Sequence, residues 1–407
     1  MSLNSTPKSL RTHIGIFGKR NSGKSSLINA LSNQDIAIVS DVKGTTTDPV
    51  FRPIEILPIG PCVLIDTAGI DDHGELGELR IKKSLNVLDK TDIALLVADV
   101  NTGILTEDIH LIEKFKAKNI PYLVVLNKSD AASISNEQLE EIKEKASSNI
   151  VLSSASNGIG IDKIKEEIIK IIPKDKNETI LVSDLVDEND FVVLVTPIDK
   201  SAPKGRLILP QQQVIRDCLD NNAIPIVTKE NTLKETLNNL SKKPMLVITD
   251  SQAFSEVDKE TPKDIPLTSF SILFARQKGE LQDLIDGAKA IDSLKDGDII
   301  LMAEGCTHHA QDDDIGRVKI PNMLKKKSGK DLTFEFSSGV SFTEDIAKYS
   351  LVVHCGACMM NRKEMLSRIE NSKTHNVPIV NYGILIAHVK GILKRSIEIF
   401  EGVNIHD

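Results

Sequence analysis

Apolar residues arrive along this chain in short unbroken runs, separated by amphipathic stretches. His13–Gly18, Cys62–Gly69, Asp92–Asp99, Ile120–Lys128 and Asn149–Ala155 are such runs, and each stops at polar residues. Ser25–Leu31 has helical spacing, and Thr106–Lys118 and Asn136–Ala146 read as helices between the runs. A run that is apolar throughout predicts a strand covered on both faces, and strands alternating with helices predict a parallel sheet. Ile171–Glu178 is charged and contains Pro173, so a linker is expected there. A second block follows, with strands expected at Phe191–Ile198, Arg206–Pro210, Ile224–Thr228 and Met245–Asp250, and helices at Gln211–Asn221 and Thr232–Leu240. After the Pro- and charge-rich stretch Asp258–Pro266, a third block predicts one long helix over Ser269–Ile291. Its strands are expected at Asp298–Glu304, Leu332–Ser338, Ser350–Cys355 and Val377–Gly383. The expected division is an N-terminal tail (1–8) and three α/β domains (9–173, 179–265 and 266–407).

Composition narrows the function classes. At roughly 150 residues per domain, 407 residues fit two or three domains. No apolar run approaches the roughly 20 residues of a membrane span, and the N-terminus lacks the apolar core of a signal peptide. A cytoplasmic protein without a membrane partner is therefore expected. The net charge is −8, aromatics are 3% and Trp is absent, which argues against a nucleic-acid partner that needs a basic face or stacking platforms. Five cysteines, an odd and sparse set, argue against a disulfide framework. Cys62 and Cys218 fall on a predicted strand and helix, where packing is the expected role.

Gly18-Lys19-Arg20-Asn21-Ser22-Gly23-Lys24-Ser25 fits GxxxxGK[ST], after an apolar strand and at the opening of a helix that continues with Ser26. The glycines let backbone N–H groups surround phosphate oxygens, Lys24 is expected at the β- and γ-phosphates, and the Ser25 hydroxyl at Mg²⁺. Asp66-Thr67-Ala68-Gly69 closes the next strand, placing Asp66 at the metal's water shell and the Gly69 N–H toward the γ-phosphate. Asn127-Lys128-Ser129-Asp130 closes another. There the Asp130 carboxylate can accept from guanine N1–H and the 2-amino group, which adenine lacks. Ser153-Ser154-Ala155 is expected to meet the guanine oxygen through backbone N–H groups. Four motifs in order, each at a strand's carboxyl end, point to GTP and GDP as ligands.

With these motifs the chain resembles the translation-factor-related GTPases, in the Era-like and tRNA-modification-GTPase branch. Gly44-Thr45-Thr46-Thr47-Asp48 resembles that branch's GTTRD loop, with Thr47 in place of the usual Arg. The resemblance makes Thr46 the switch threonine at Mg²⁺, and so one of the catalytic set with Lys24, Asp66 and Gly69. Ile70 follows DTAG where Ras-like proteins carry a water-orienting Gln, and an Ile side chain cannot polarise water. Asn21 matches the P-loop asparagine that helps hold K⁺ in the resembling branch, so K⁺-stimulated hydrolysis is expected.

Cys306-Thr307-His308 and, 45 residues on, His354-Cys355-Gly356-Ala357-Cys358 each follow a predicted strand. Two thiolates in CxxC can converge on one metal or cluster. The spacing alone is compatible with zinc, with a redox dithiol at Cys355 and Cys358, or with an iron–sulfur cluster on three thiolates. His309 and Asp312–Asp314 read as a solvated loop. A GTPase domain followed by CxH…HCxxC resembles the FeFe-hydrogenase maturation GTPases, the HydF family, over essentially the whole chain. That resemblance implies a P-loop GTPase domain with a parallel sheet, a small α/β dimerisation domain and an α/β iron–sulfur cluster-binding domain. It implies a 4Fe-4S cluster on Cys306, Cys355 and Cys358, with His308 and His354 nearby as a fourth ligand or a supporting residue, and Glu304, Asp312–Asp314 or a water as alternatives. It further implies a homodimer, in which a strand such as Phe191–Val195 could continue a sheet across a two-fold axis. The implied role is a scaffold that receives a diiron precursor from two radical-SAM maturases and transfers it to apo FeFe-hydrogenase. The competing expectation is a regulatory GTPase with a structural zinc domain, acting in ribosome or tRNA biology.

Overall fold

The computed structural model describes residues 7–32, 49–69, 81, 83–132, 134–173, 180–198, 207–305, 314–339, 342 and 345–403. The chain forms two compact units, 1–175 and 176–407. The first is a six-stranded sheet in the order β2-β3-β1-β4-β5-β6, built from β1 (Thr12–Phe17), β2 (Val50–Ile56), β3 (Gly60–Asp66), β4 (Ile93–Asp99), β5 (Tyr122–Asn127) and β6 (Ile150–Leu152). All neighbours are parallel except β2 and β3. Its helices are α1 (Lys24–Ser32), α2 (Thr106–Ala117), α3 (Asn136–Ala146) and α4 (Ile161–Ile171). The unbroken apolar strands are buried on both faces, as a sheet covered by helices requires. Ile14, Ile16 and Leu95 join a core with Leu27 of α1 and Ile164 of α4. Phe17, Ala94 and Leu96 join the opposite core with Phe115 of α2 and Ala146 of α3. Cys62 lies in the first of these cores, and burial pushes its thiol up to about 12.

The second unit holds two four-stranded sheets, parallel throughout. One runs β10-β9-β7-β8, from β7 (Phe191–Val195), β8 (Ile224–Thr228), β9 (Leu246–Thr249) and β10 (Leu267–Ser269). The other runs β12-β11-β13-β14, from β11 (Ile299–Glu304), β12 (Thr333–Ser338), β13 (Leu351–His354) and β14 (Ile379–Asn381). Around them lie α5 (Leu209–Asp220), α6 (Leu233–Asn238), α7 (Phe254–Glu260), α8 (Phe270–Lys278), α9 (Leu281–Lys289), α10 (Ile320–Ser328), α11 (Arg362–Thr374), α12 (Tyr382–Val389) and α13 (Leu393–Ile397). One continuous core reaches from Leu181 through Phe274 and Met302 to Phe400, and it includes Cys218, whose thiol burial raises to about 12. No described helix is long and apolar enough to cross a membrane.

Four details depart from the expected elements. Val50–Ile56, not read as a strand, pairs antiparallel with β3 at the sheet edge, where Pro53 lacks an N–H that an interior strand would need. Where a strand is expected at Arg206–Pro210, the described residues form the approach to α5. Pro210 sits in its first turn, where proline's fixed φ fits, and the Gln211 side chain accepts from the Ile208 N–H (3.1 Å). The long helix expected over Ser269–Ile291 is broken. Ser269 ends β10 and caps α8 by accepting from the Ile272 N–H (3.2 Å), and the chain turns at Gly279 before α9. A Cβ on Gly279 would meet the Ile369 side chain at 2.9 Å and the Ala275 carbonyl at 3.1 Å. Finally, Phe191–Val195 lies inside its sheet, between β9 and β8, so it cannot continue that sheet into a second copy. The edge strand β8 leaves Ile224 and Val227 41% and 47% exposed.

Gly287 sets how closely α9 lies on β14, because a Cβ there would stand 1.9 Å from the Ile379 carbonyl oxygen. Gly287→Ala should gain roughly 1 kcal/mol of helix propensity yet destabilise the unit by about 1–3 kcal/mol net, as the helix is pushed off the strand. Urea unfolding of the purified chain measures this, and a variant more stable than the parent would refute the close packing.

Candidate nucleotide and cysteine sites

The loop between β1 and α1 can be built only with glycine at its two ends. Gly18 has φ +141° and Gly23 φ +93°, and a Cβ would lie 2.2 Å from the Val97 carbonyl oxygen at the first and 2.1 Å from Asn127 Nδ2 at the second. Asn21 takes the left-handed region at φ +59°, which asparagine tolerates. Lys24 is buried at the start of α1, and its ammonium donates to the carbonyls of Gly18 (2.9 Å) and Lys19 (2.7 Å). Ser25 Oγ donates to Asp66 Oδ2 (3.0 Å), so the two expected Mg²⁺-side groups meet. Burial pushes the Asp66 carboxyl up, against the pull of Ser25, Lys24 and Arg52. Thr67 Oγ1 ties the end of β3 to the Ile16 carbonyl (2.6 Å). A cavity of about 490 Å³ opens here, bordered by Asn21, Gly23, Lys24, Ser25, Ser26, Asp66, Gly69 and Lys128. Thr45, Thr46, Thr47, Asp48 and Ile70 lie outside the described residues.

The base-side motifs are tied to one another and to the phosphate loop. Asn127 is a brace. Its Nδ2 donates to the Ser22 carbonyl (3.1 Å), and its Oδ1 accepts from the Ala155 N–H (3.0 Å) and Ser153 Oγ (3.2 Å). The three N–H groups expected at the guanine oxygen are all engaged within the protein: Ser153 with Leu126, Ser154 with Ile159, and Ala155 with Asn127. That segment therefore shapes the pocket by holding Asn127. Asp130 is exposed. Lys128, at φ +64°, pairs with Asp99 Oδ2 (2.7 Å) at the end of β4. Burial raises the Asp99 carboxyl, but Lys128 and Asn101 outweigh it and hold it low. Asp99 escapes the sequence reading, although its place at a strand's carboxyl end is an available signal.

At the second site, β11 and β13 pair in parallel with Ala303 opposite His354, so the residues after both strands emerge side by side. The Gly305 N–H donates to Cys355 Sγ (3.1 Å), and the Cys355 N–H to the Ala303 carbonyl (2.9 Å). A Cβ on Gly305 would meet Met360 Sδ at 2.5 Å. Burial raises both thiols. For Cys355 the N–H groups of Gly305 and Ala357 oppose it, and for Cys358 the Lys278 ammonium does. Cys306, His308, His309, Asp312 and Asp313 lie outside the described residues, and among those described no three His, Cys, Asp or Glu side chains gather as a metal site.

His354 is fully buried with both ring nitrogens engaged. A carbonyl accepts at Nδ1 (Cys355 O, 2.8 Å), so Nδ1 carries the proton. Nε2 must then accept from Arg368 Nη1 (3.0 Å). Burial and the guanidinium push the imidazole down to about 3. Its lone pair is taken up by Arg368, and its N–H supports the Cys355 backbone. Glu304 is 3% exposed and lies 3.4 Å from Arg317, while Asp314 Oδ1 caps the next helical turn by accepting from the Gly316 and Arg317 N–H groups (2.8 and 2.9 Å).

Comparison with known proteins agrees with this layout. Residues 13–128 match the model of the 50S ribosome-binding GTPase family, residues 181–279 the hydrogen maturase F dimerization domain, and residues 282–399 the hydrogen maturase F tetramerization domain. The chain is 38% identical over 168 residues to the tRNA modification GTPase MnmE of Desulforamulus reducens, covering 40% of this chain and 35% of that protein. It is 41% identical over 159 residues to MnmE of Thermotoga maritima, covering 38% and 34%. The match thus spans about a third of the length of these relatives. A crystal structure of an Aquifex aeolicus Era variant bound to GDP·AlF4⁻ overlaps 53% of this chain and 91% of that one at 21% identity, with a TM-score of 0.36, too slight to argue from. A P-loop GTPase domain similar to that of MnmE thus precedes two consecutive maturase domains, and the chain belongs to the hydrogen maturase F (HydF) family.

Proposed function

We propose that this chain is a GTP-hydrolysing scaffold that holds a 4Fe-4S cluster with one exchangeable position and passes a diiron precursor to apo FeFe-hydrogenase. The observation that carries the reading is the parallel pairing of β11 with β13, which brings Gly305, the neighbour of Cys306, onto the sulfur of Cys355. A backbone N–H aimed at sulfur suits a metal-bound thiolate. The Tyr382 hydroxyl, buried without a hydrogen-bond partner among the described residues and under the influence of Cys355, adds a second polar group that a cluster could satisfy.

Cys306, Cys355 and Cys358 would hold the cluster, which supplies an iron whose remaining position can take and release an exogenous ligand. His354 orients the Cys355 backbone, and His308 is left as the histidine candidate for the fourth position. In the first unit, Ser25, Thr46 and Asp66 serve Mg²⁺, Lys24 and the Gly69 N–H serve the phosphates, Asn21 serves K⁺, and Asp130 reads guanine. The diiron precursor would come from two radical-SAM maturases, in the cytoplasm. The homodimer would form through the exposed edge of β8 rather than through β7.

Anaerobic reconstitution with iron and sulfide, followed by EPR of the reduced chain, tests the cluster. A 4Fe-4S signal lost in Cys355→Ser is expected, and stoichiometric zinc with no iron uptake would overturn the proposal. Lys24→Ala should lower GTP hydrolysis by about 10²–10³-fold with the iron content unchanged. Hydrolysis equally fast in Na⁺ and K⁺ would remove the role given to Asn21. Asp130→Asn should relax the preference for guanine over xanthine by roughly a hundredfold, read from competition binding. Val227→Lys should reduce the particle mass measured by light scattering, because a charge on an edge strand blocks pairing; an unchanged mass removes β8 from the interface.

A further inference from the structure

Lys278, in the last turn of α8, is 2% exposed. Its ammonium donates to the carbonyls of Ala357 (2.9 Å), Cys358 (3.3 Å) and Met360 (2.6 Å). Three acceptors claim three N–H bonds, so the group is charged and has no lone pair to act as a nucleophile. Its other close neighbour is the Phe274 ring face, at 5.4 Å. Among the described residues no carboxylate forms an ion pair with it, and Glu364 acts only at longer range, behind Cys358 and Cys355.

A buried charge without an opposite charge is destabilising by several kcal/mol, and carbonyl dipoles offset only part of that. A cation kept in such a place therefore needs an anion close by: burial pulls the Lys278 ammonium down to about 8, and the sulfurs of Cys358 and Cys355 are the first groups to oppose it. Its position is also fixed from the other side. Arg362 Nη1, just after the cysteine loop, donates back to the Gln277 carbonyl (3.1 Å) and, at 3.5 Å, to that of Gly279. The end of α8 and the loop at 355–362 thus grip each other through reciprocal cation–carbonyl bonds. Lys278 belongs to the region matched by the dimerization model, and the cysteines to the one matched by the tetramerization model.

We propose that Lys278 is the fixed countercation of the cysteine-held group: it braces the loop from Ala357 to Met360 and stabilises the negative charge that an electron adds there. The inference rests on the cluster reading above. One-electron reduction makes a thiolate-ligated cluster more negative by one charge, and a cation held nearby in a low-dielectric interior favours that state. The group is a positioning and potential-setting residue, since its N–H bonds go to backbone carbonyls.

The test uses the full chain, reconstituted anaerobically with iron and sulfide, as parent, Lys278→Met and Lys278→Arg. Iron and sulfide content, the midpoint potential from an EPR-monitored redox titration, and urea unfolding of the metal-free protein are read together. In Lys278→Met the ratio of reduced to oxidised cluster at a given potential should fall at least tenfold, a midpoint about 59 mV more negative. Lys278→Arg, which keeps the cation, should stay closer to the parent. A Met variant that is less stable when metal-free but has the parental midpoint would make Lys278 a loop brace only and overturn the proposal. If the Met variant takes up no iron, uptake by the Arg variant supports the cation, and failure of both while Lys278→Gln loads overturns it. A parent that takes up no iron sinks the cluster reading itself, whereas a loaded parent with unmoved variants sinks only the role of Lys278.

Discussion

Parallel strand pairing governs what this molecule can do, because it obliges the loops after neighbouring strands to leave the sheet at the same edge. In the first unit the ladder β3-β1-β4-β5 delivers Asp66, Gly18, Asp99 and Asn127 to one edge. In the second, β11 beside β13 delivers Glu304-Gly305 and His354-Cys355. Gly305 and Cys355, 50 positions apart in the chain, become neighbours through main-chain pairing before any other side chain contributes. The glycines then set how closely the loops approach. Gly18 and Gly23 admit Val97 and Asn127, and Gly305 admits Met360.

Each edge also carries a buried ammonium held by loop carbonyls. Lys24 sits on those of Gly18 and Lys19, and Lys278 on those of Ala357, Cys358 and Met360. Carbonyl oxygens orient a cation without adding a charge of their own, and each ammonium stands where an anionic group is expected: phosphate at the first, thiolate sulfur at the second. Other charges are paired or held nearby: Lys128 with Asp99, and Arg368 on the imidazole of His354, from where its charge also pulls the Cys355 thiol down.

What can be read from the sequence follows from how local each signal is. The phosphate loop is legible because its glycines, lysine and serine act within eight residues and announce a strand-to-helix turn. The apolar runs are legible because burial on both faces leaves no polar interruption. Val50–Ile56 is not, since an edge strand shows alternation and tolerates Pro53. The break at Gly279 is hidden because an isolated glycine inside a helical pattern is tolerated and does not by itself announce a stop. The motif places Asn127 at the base although its partners are Ser22, Ser153 and Ala155, and Lys278 looks like any helix lysine, because neither set of partners is near in sequence.

The hydrogen-bond chain behind Cys355 bears on the fourth position of the proposed cluster. Arg368 cannot lose its proton, so it can only donate to Nε2, and that requires the neutral tautomer with the proton on Nδ1. The proton then points at the Cys355 carbonyl and holds the peptide leading to the CxxC turn, where Ala357 takes φ +52°. Arg368 is itself fixed by the Gly339 carbonyl at 2.8 Å. Freeing His354 for iron would leave a buried guanidinium bond unmade and release the turn that carries both thiols. A protein ligand that stabilised the cluster by disrupting its own thiolate loop would work against itself. On the proposed cluster reading, the fourth position would fall to a group that leaves this chain of bonds intact.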